Sequence, residues 1–403
     1  MVPMIEKRST QKGAVLVALM CGALLFIGVG MLGGHLATNL KQQSQREVTE
    51  SLSRVKQALI SYAVNYADNY GHNTRGGVGR LPCPALAPHS RPAMRCGLNA
   101  IGYLPAVWSR DSKRIDIDHL EYFFDQNLWY AVSADFRYNP AFNKLNPDSS
   151  GRFLSVNQHD EVVAVIIHPG VPLAGQSRGG DLLRVTDYLE GESANGDSIF
   201  EFDPQYNDHV VFISRSELMP LIEKRVLGIS RDWLLEYSNT YGHLPFAAKL
   251  GDPLAACEQG LTDGILSMAR GNCLTPSLGE FVSQTVPRGR RINQTWFGQY
   301  NWANFVYYQV DPACVSDTGV SCSVSGHIDG ELIVNDQPAR ALLVSTGRAI
   351  ESAYLGELQD RLNHPTKLSS YLDTAEFLTG SFNLSIVNAA SSIASNDQYL
   401  VVR

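Results

Sequence analysis

The sequence predicts an α+β fold: a long N-terminal helix followed by two tandem heads, each with a helix, a disulfide-closed loop and a mainly antiparallel β-sheet. Three observations carry this. An uncharged apolar run at residues 14–37 leads into a one-sided helical stripe. The octet "NYADNYGH" at 65–72 returns as "EYSNTYGH" at 236–243. Cysteine pairs and strand-like runs then follow each octet in the same order.

The apolar run, "AVLVALMCGALLFIGVGMLGGHLA", contains no Asp, Glu, Lys or Arg. As a helix it would extend about 36 Å, enough to cross a hydrocarbon core of about 30 Å. Lys7, Arg8 and Lys12 precede it, so the positive-inside rule predicts one membrane pass, with a cytoplasmic leader at 1–13, a transmembrane half-helix at 14–40 and everything later exported. A cleavable secretory signal is the alternative, but the run is too long for one and no clear small-x-small site ends it. Gly30 and Gly34 have the G-x-x-x-G spacing that permits close helix contact, though chance glycines in an apolar run explain them as well. Beyond the run, Val48, Leu52, Val55, Leu59, Tyr62, Tyr66 and Tyr70 recur at steps of three and four, the stripe of an amphipathic helix, and Gly71 is a suitable C-cap. The expectation is one continuous helix to Tyr70, the spine of a first head over 41–217.

The second head, 218–403, starts with its own stripe: Ile222, Val226, Ile229, Trp233 and Tyr237. Val55, Tyr62, Tyr66 and Tyr70 correspond to Val226, Trp233, Tyr237 and Tyr241. Downstream, "VVAVIIHPG" (162–170) is echoed by "ARALLVSTG" (339–347), Tyr188-Leu189 by Tyr371-Leu372, and "NDHVVFIS" (207–214) by "NDQYLVVR" (396–403). Strands are expected at "EVVAVIIH" and "HVVFIS" in the first head, and at "NFVYYQV", "ELIVN" and "RALLVS" in the second.

The chain of 403 residues is longer than a single core usually supports. Its net charge of −7 argues against salt-driven attraction to phosphate backbones, so nucleic acid is not an expected partner. Of seven cysteines, Cys21 lies in the apolar run. The others fall as Cys83/Cys96, Cys257/Cys273 and Cys314/Cys322 in Gly/Pro-rich stretches, which points to three disulfides in an oxidising compartment. Zinc ligation is the alternative, and the absence of C-x₂₋₄-C and H-x₃₋₅-H spacing weighs against it.

The basic leader ending in Lys12-Gly13, the abrupt uncharged stretch and the helix running on into an exported head together resemble the class III signal of type IV pilins and type II secretion pseudopilins. In addition, "GRLPCP" (79–84), Cys96-Gly97, "GYLP" (102–105), "DQNLWYAV" (125–132), "PGVPLAGQSR" (169–178), "DYLEGES" (187–193) and "NDHVVFIS" are similar, in order, to a series found in a group of bacterial pilin-like proteins. The resemblance implies pilin-like heads, cleavage after Gly13 by a prepilin peptidase and methylation of Ala14. It places the chain in the inner membrane, N-terminus cytoplasmic, with its heads periplasmic or on a cell-surface filament. The implied partners are other pilins or pseudopilins and the inner-membrane assembly platform. The implied role is a non-enzymatic structural subunit near a filament tip, without a cofactor. Ala18 stands fifth after the cut, where major pilins place Glu; a subunit lacking that carboxylate resembles the minor, tip-type members.

Other chemistry is weighed beside this. "GQSRG" (175–179) satisfies the G-x-S-x-G string of a serine hydrolase with Ser177 as nucleophile, but a Pro-containing loop precedes it and Gly179-Gly180 follows, where the motif needs strand, tight turn and helix. A ligand-binding, adhesin-like second head is a further alternative. His72 and His243 follow helix ends and are conceivable metal ligands, or simply histidines favoured by the helix dipole. Asp187, Glu190, Glu192 and Asp197 offer oxygens to calcium without EF-hand spacing, or form a solvated loop. Arg288, Arg290 and Arg291 beside Trp296 make a short basic cluster or a surface loop.

Overall fold

The computed structural model describes residues 43, 45–67, 77–88, 90–93, 96, 101–105, 128–137, 145–149, 151–178, 184–195, 197–254, 261–268, 276–285, 296–315, 332–350, 359–372 and 397–403. The chain divides into two compact units, Met1–Arg54 and Val55–Arg403. In the first, residues 45–54 are helical; in the second, helix resumes the account at 55–67, with a turn at 65. This corrects the expected long N-terminal rod: the helix described covers 45–67 and is divided between the two units, with Val55, Leu59, Tyr62 and Tyr66 buried in the second. The predicted membrane half, 14–40, lies outside the described residues. Among the described residues no helix is long and apolar enough to cross a membrane, so the expected single-pass inner-membrane placement is not supported. Charge explains this for the long helical stretches that are described: 45–67 carries Arg46, Glu47, Glu50, Arg54 and Lys56, and 215–241 carries Glu217, Glu223, Lys224, Arg225, Arg231 and Asp232, which hydrocarbon does not accommodate cheaply.

The first sheet contains β1 (Ile101–Tyr103), β2 (Trp129–Val132), β3 (Leu154–Val156), β4 (His159–His168), β5 (Ile199–Phe200) and β6 (His209–Ser214). β4 is its centre, antiparallel to β2, β3 and β6, while β5 joins β3 in parallel. The unbroken apolar stretch Val162–Ile167 suits that position because both of its faces are buried. On one face Val165 and Ile167 pack with Trp129, Leu154, Val156, Tyr188, Leu189 and Phe200.

A long helix, α2 (Arg215–Tyr241), follows β6 directly; the helical stretch 55–67 is α1. The Ser214 side chain caps α2 by accepting from the Glu217 N–H, and Gly242, at φ 78°, ends it in the left-handed region that a side chain would strain. Ile222, Val226, Ile229, Trp233 and Tyr237 are all buried, so the stripe read in the sequence is the face that packs.

The second sheet comprises β7 (Ala247–Ala248), β8 (Asp263–Leu266), β9 (Val306–Val310), β12 (Ala341–Ser345) and β13 (Gln398–Val402), in the order β13-β12-β9-β8-β7, all antiparallel. A hairpin of β10 (Ile333–Val334) and β11 (Gln337–Pro338) precedes β12. Two short helices, α3 (Leu278–Thr285) and α4 (Trp296–Gln299), lie between β8 and β9. The order repeats that of the first sheet: an isolated pairing of Ala85 with Tyr103 takes the place of β7 beside β8, and β1, β2, β4 and β6 take those of β8, β9, β12 and β13. The α+β architecture is therefore two related, mainly antiparallel sheets. Both sheets belong to one compact unit, Val55–Arg403.

The repeat has a register that differs from the octets. Gly79-Arg80-Leu81-Pro82 matches Gly242-His243-Leu244-Pro245: both glycines have positive φ, and the Leu81 and Leu244 N–H groups donate to Phe136 and Cys314 carbonyls just after β2 and β9. The counterpart of His243 is thus Arg80, while His72 lies outside the described residues.

Candidate functional site

The polar groups that the fold gathers most deliberately are two arginines following β4 and β12. In the first half the guanidinium of Arg178 donates to the carbonyls of Asp187 (3.1 Å), Gly170 (2.7 Å), Pro169 (2.8 Å) and Tyr188 (3.3 Å) and to Gln176 Oε1 (2.9 Å), lying 5.1 Å from the Tyr188 ring centre. In the second half Arg361 repeats each contact: Ser370 (2.9 Å), Gly347 (2.9 Å), Thr346 (2.8 Å) and Tyr371 (3.5 Å) carbonyls, Gln359 Oε1 (3.2 Å) and the Tyr371 ring at 5.4 Å. A planar fork with five donors is suited to clasping several carbonyls at once, which an ammonium is not. Each clasp closes a loop onto the end of its central strand. The donors are thereby used, so these arginines serve architecture and not ligand capture.

The clasp accounts for "GQSRG". Ser177 is exposed between Gln176 and Arg178, both of which belong to the clasp. The acidic stretch is spent locally as well: Glu190 Oε2 accepts from the Asn207 N–H, Glu192 Oε2 from Asn195, and Asp197 Oδ1 from the Ile199 N–H. Among the described residues there is no group of three or more His, Cys, Asp or Glu side chains arranged to hold a metal ion.

Just before β6 and β13 stand two buried acids, Asp208 and Asp397, each 4% exposed. Asp208 Oδ2 accepts from the Glu190 N–H at 2.9 Å. Burial pushes its carboxyl up to about 6, against the opposing pull of that hydrogen bond. Beside it His168 and His209 face each other across β4 and β6 with ring centres 6.0 Å apart. Gly170 N–H donates to His168 Nδ1. Burial, then the neighbouring His209 and Arg178, bring the His168 imidazole down to about 4, so it is neutral at physiological pH. His209 is lowered by burial as well.

The matching pair in the second half is Ser345 and Gln398. These face a buried acid of α2: Ser345 Oγ donates to Glu223 Oε2 at 3.3 Å, and Gln398 Nε2 reaches the Pro220 carbonyl at 3.1 Å and Glu223 Oε2 at 3.5 Å. Burial drives the Glu223 carboxyl up to about 8; the Ser345 hydrogen bond, Arg215 and Arg361 oppose it.

A polar seam ties the halves together. Asp148 Oδ1 accepts from Arg361 Nη1 (2.8 Å) and from the Ala349 N–H (3.0 Å). Glu161 Oε1 meets Arg348 at 2.6 Å and Arg215 at 3.7 Å, and Arg215 also donates to the Pro147 carbonyl. Arg80, fully buried, donates to the carbonyls of Asp135 and Arg137 and lies 4.9 Å from the Tyr300 ring. Arg361 is only 8% exposed, so its pairing with Asp148 is worth more than the exposed Arg348–Glu161 contact.

Of the residues singled out in the sequence, Cys83 and Cys96 form a disulfide, and Cys314 is disulfide-bonded. Cys257, Cys273 and Cys322 lie outside the described residues, as do Gly13, Ala14, Arg288, Arg290 and Arg291. His243 is buried, its Nδ1 3.1 Å from the Leu244 carbonyl, and Trp296 is fully buried. Sequence reasoning missed the clasp arginines. Their signal was present: Gln-x-Arg stands at identical spacing before Tyr-Leu in "QSRGGDLLRVTDYL" and "QDRLNHPTKLSSYL". Comparison with family models, with curated proteins and with solved structures finds no match to this chain.

Proposed function

We propose that this protein is a non-enzymatic structural subunit of the minor pilin or pseudopilin kind, built into a type IV pilus or type II secretion filament near its tip. Its partners in this reading are other pilins or pseudopilins, and a prepilin peptidase cuts after Gly13. One observation carries the proposal: the gathered polar groups of both halves are committed to holding loops and halves in place, as a building block needs. The ordered series of Leu-Pro-Cys-Pro, Gly-x-Leu-Pro and later motifs supports the same reading.

The test uses the full chain in the organism that makes it. The expected results are an N-terminal peptide beginning at methylated Ala14, co-purification with pilin or pseudopilin subunits, and loss or shortening of filaments on deletion. A chain that keeps Met1, together with unchanged filaments and secretion in the deletion strain, overturns the proposal.

A further inference from the structure

The loop after the central strand is built alike in both halves and used differently. Gly170 and Gly347 turn it in the left-handed region, at φ 51° and 55°, and the Leu173 and Ile350 N–H groups donate to the clasp glutamines Gln176 and Gln359. Val171 and Pro172 therefore stand where Arg348 and Ala349 stand. In the second half this pair docks on the first half: Arg348 meets Glu161 at 2.6 Å and the Ala349 N–H donates to Asp148 at 3.0 Å, leaving Ala349 and Ile350 half-buried. The first half's loop can make neither contact, because valine carries no charge and proline no N–H. It stays in solvent, with Val171 72% and Leu173 41% exposed.

The receiving surface has changed in the same sense. Where "VVAVIIHPG" is echoed by "ARALLVSTG", the residues just before are Glu161 and Pro338. Ala164 and Ala341, which pair with Ile213 and Val402, hold that correspondence in the sheets. Pro338 is exposed, and Ile333, its partner across the hairpin, is 44% exposed. The Arg–Glu pair of the internal seam is thus replaced by a Val–Pro pair on two surfaces that both face solvent. Replacement of both members together is what a contact between them requires, since a charge left on one side would be desolvated against an apolar partner. We infer that the Val171–Leu173 loop docks on the Ile333–Pro338 hairpin of a second copy of this chain, repeating between molecules the contact that Arg348 and Glu161 make inside one. Loop and hairpin are different patches, so the contact is heterologous: each bound pair leaves one loop and one hairpin open, and copies add head to tail.

The inference does not rest on the filament proposal, which stands or falls on processing and on filaments in the cell. It is read by sedimentation of the purified full chain in detergent micelles, where the average mass is expected to rise with concentration. Val171→Arg and Pro338→Glu should each weaken association at least ten-fold, with thermal midpoints unchanged because both residues are exposed. Mixing the two variants should restore association, because arginine then meets glutamate as Arg348 meets Glu161. Leu173→Glu is a variant independent of the charge pair and should weaken association at least five-fold. A mass that does not rise with concentration overturns the inference. Association indifferent to all three variants overturns it too, by placing the contact elsewhere in the chain. Weakening by both single variants without recovery on mixing overturns the pairing of these two surfaces.

Discussion

Where β4 ends, His168 faces His209; where β12 ends, Ser345 faces Gln398 and both reach a buried glutamate. In the first half Val210 lines an open groove and the Asn157 side chain bonds the Phe202 backbone; in the second the Tyr399 ring plugs the corresponding place and its hydroxyl accepts from Asn335. The clasps and buried acids around these positions are the same in both halves. What this teaches is a division of labour within one duplicated frame. Contacts to backbone carbonyls are retained because any loop of that shape needs them, whereas side chains that meet only each other have diverged.

The comparison can be broken most forcefully at the clasps. Arg361→Ala removes a buried cation that also pairs with Asp148, and is expected to cost about 3–4 kcal/mol in urea unfolding. Arg178→Ala lacks that extra partner and should cost about 2 kcal/mol. Lysine at either position should rescue little, because an ammonium cannot reproduce the fork. Equal losses at the two positions would show that the Asp148 link contributes nothing.

The next effect is on pH dependence, where Glu223 of the second half and His168 of the first should act with opposite sign, while Asp208, pushed up to about 6, acts in the first half with the sign of Glu223. Burial raises the folded pKa of Glu223 to about 8 from the ordinary 4.5 of a glutamate, so the folded state holds the extra proton between those values. Stability from this group is complete below about 4.5 and falls as pH rises towards 8, by at most about 1.4 kcal/mol per pH unit. Glu223→Gln should flatten that slope. His168 has a folded pKa of about 4 against 6.5, so its contribution is complete above 6.5 and is lost as pH falls through that window. Installing the second half's pair, His168→Ser with His209→Gln, should remove the His168 contribution and leave the opposing one of Asp208. Denaturation midpoints measured from pH 4 to 8 check both; an unchanged acid-side slope in the double variant would show that the histidines are not its source.

The smallest expected change is at the plug. Tyr399→Val should open in the second half the groove that Val210 leaves in the first, at about 1 kcal/mol since the ring is only partly buried. A loss above about 3 kcal/mol would mean that Tyr399 is core and not a plug.

Much of the local structure was legible in the sequence. The α2 stripe from Ile222 to Tyr237 follows from apolar spacing, and the strands around "VVAVII" and "ALLVS" follow from β-branched runs. The matched landmarks Tyr188-Leu189 and Tyr371-Leu372 fall at equivalent points of two apolar clusters. The octets misled in one respect: the shared Gly-His ending drew attention to His72, while the backbone pairs His243 with Arg80 through the positive-φ glycines and the Leu81 and Leu244 hydrogen bonds. Apolar content at 14–37 likewise drew the reading towards one rod; that run lies outside the described residues, and the described helix is divided after Arg54 between two compact units.

By itself the sequence determined the helix over Arg215–Tyr241, the strands at "EVVAVIIH", "HVVFIS", "NFVYYQV" and "RALLVS", and that a motif series recurs, because these depend on neighbours three, four or two residues away. Tertiary structure alone decided that the two sheets belong to one unit, that Gln-x-Arg would become a carbonyl clasp, and that Glu223 would be stranded among Ser345, Gln398 and Arg361. Those outcomes depend on residues far apart in the chain and on how much water their contact excludes. No local pattern encodes the desolvation that turns an ordinary glutamate into a group holding its proton to about pH 8.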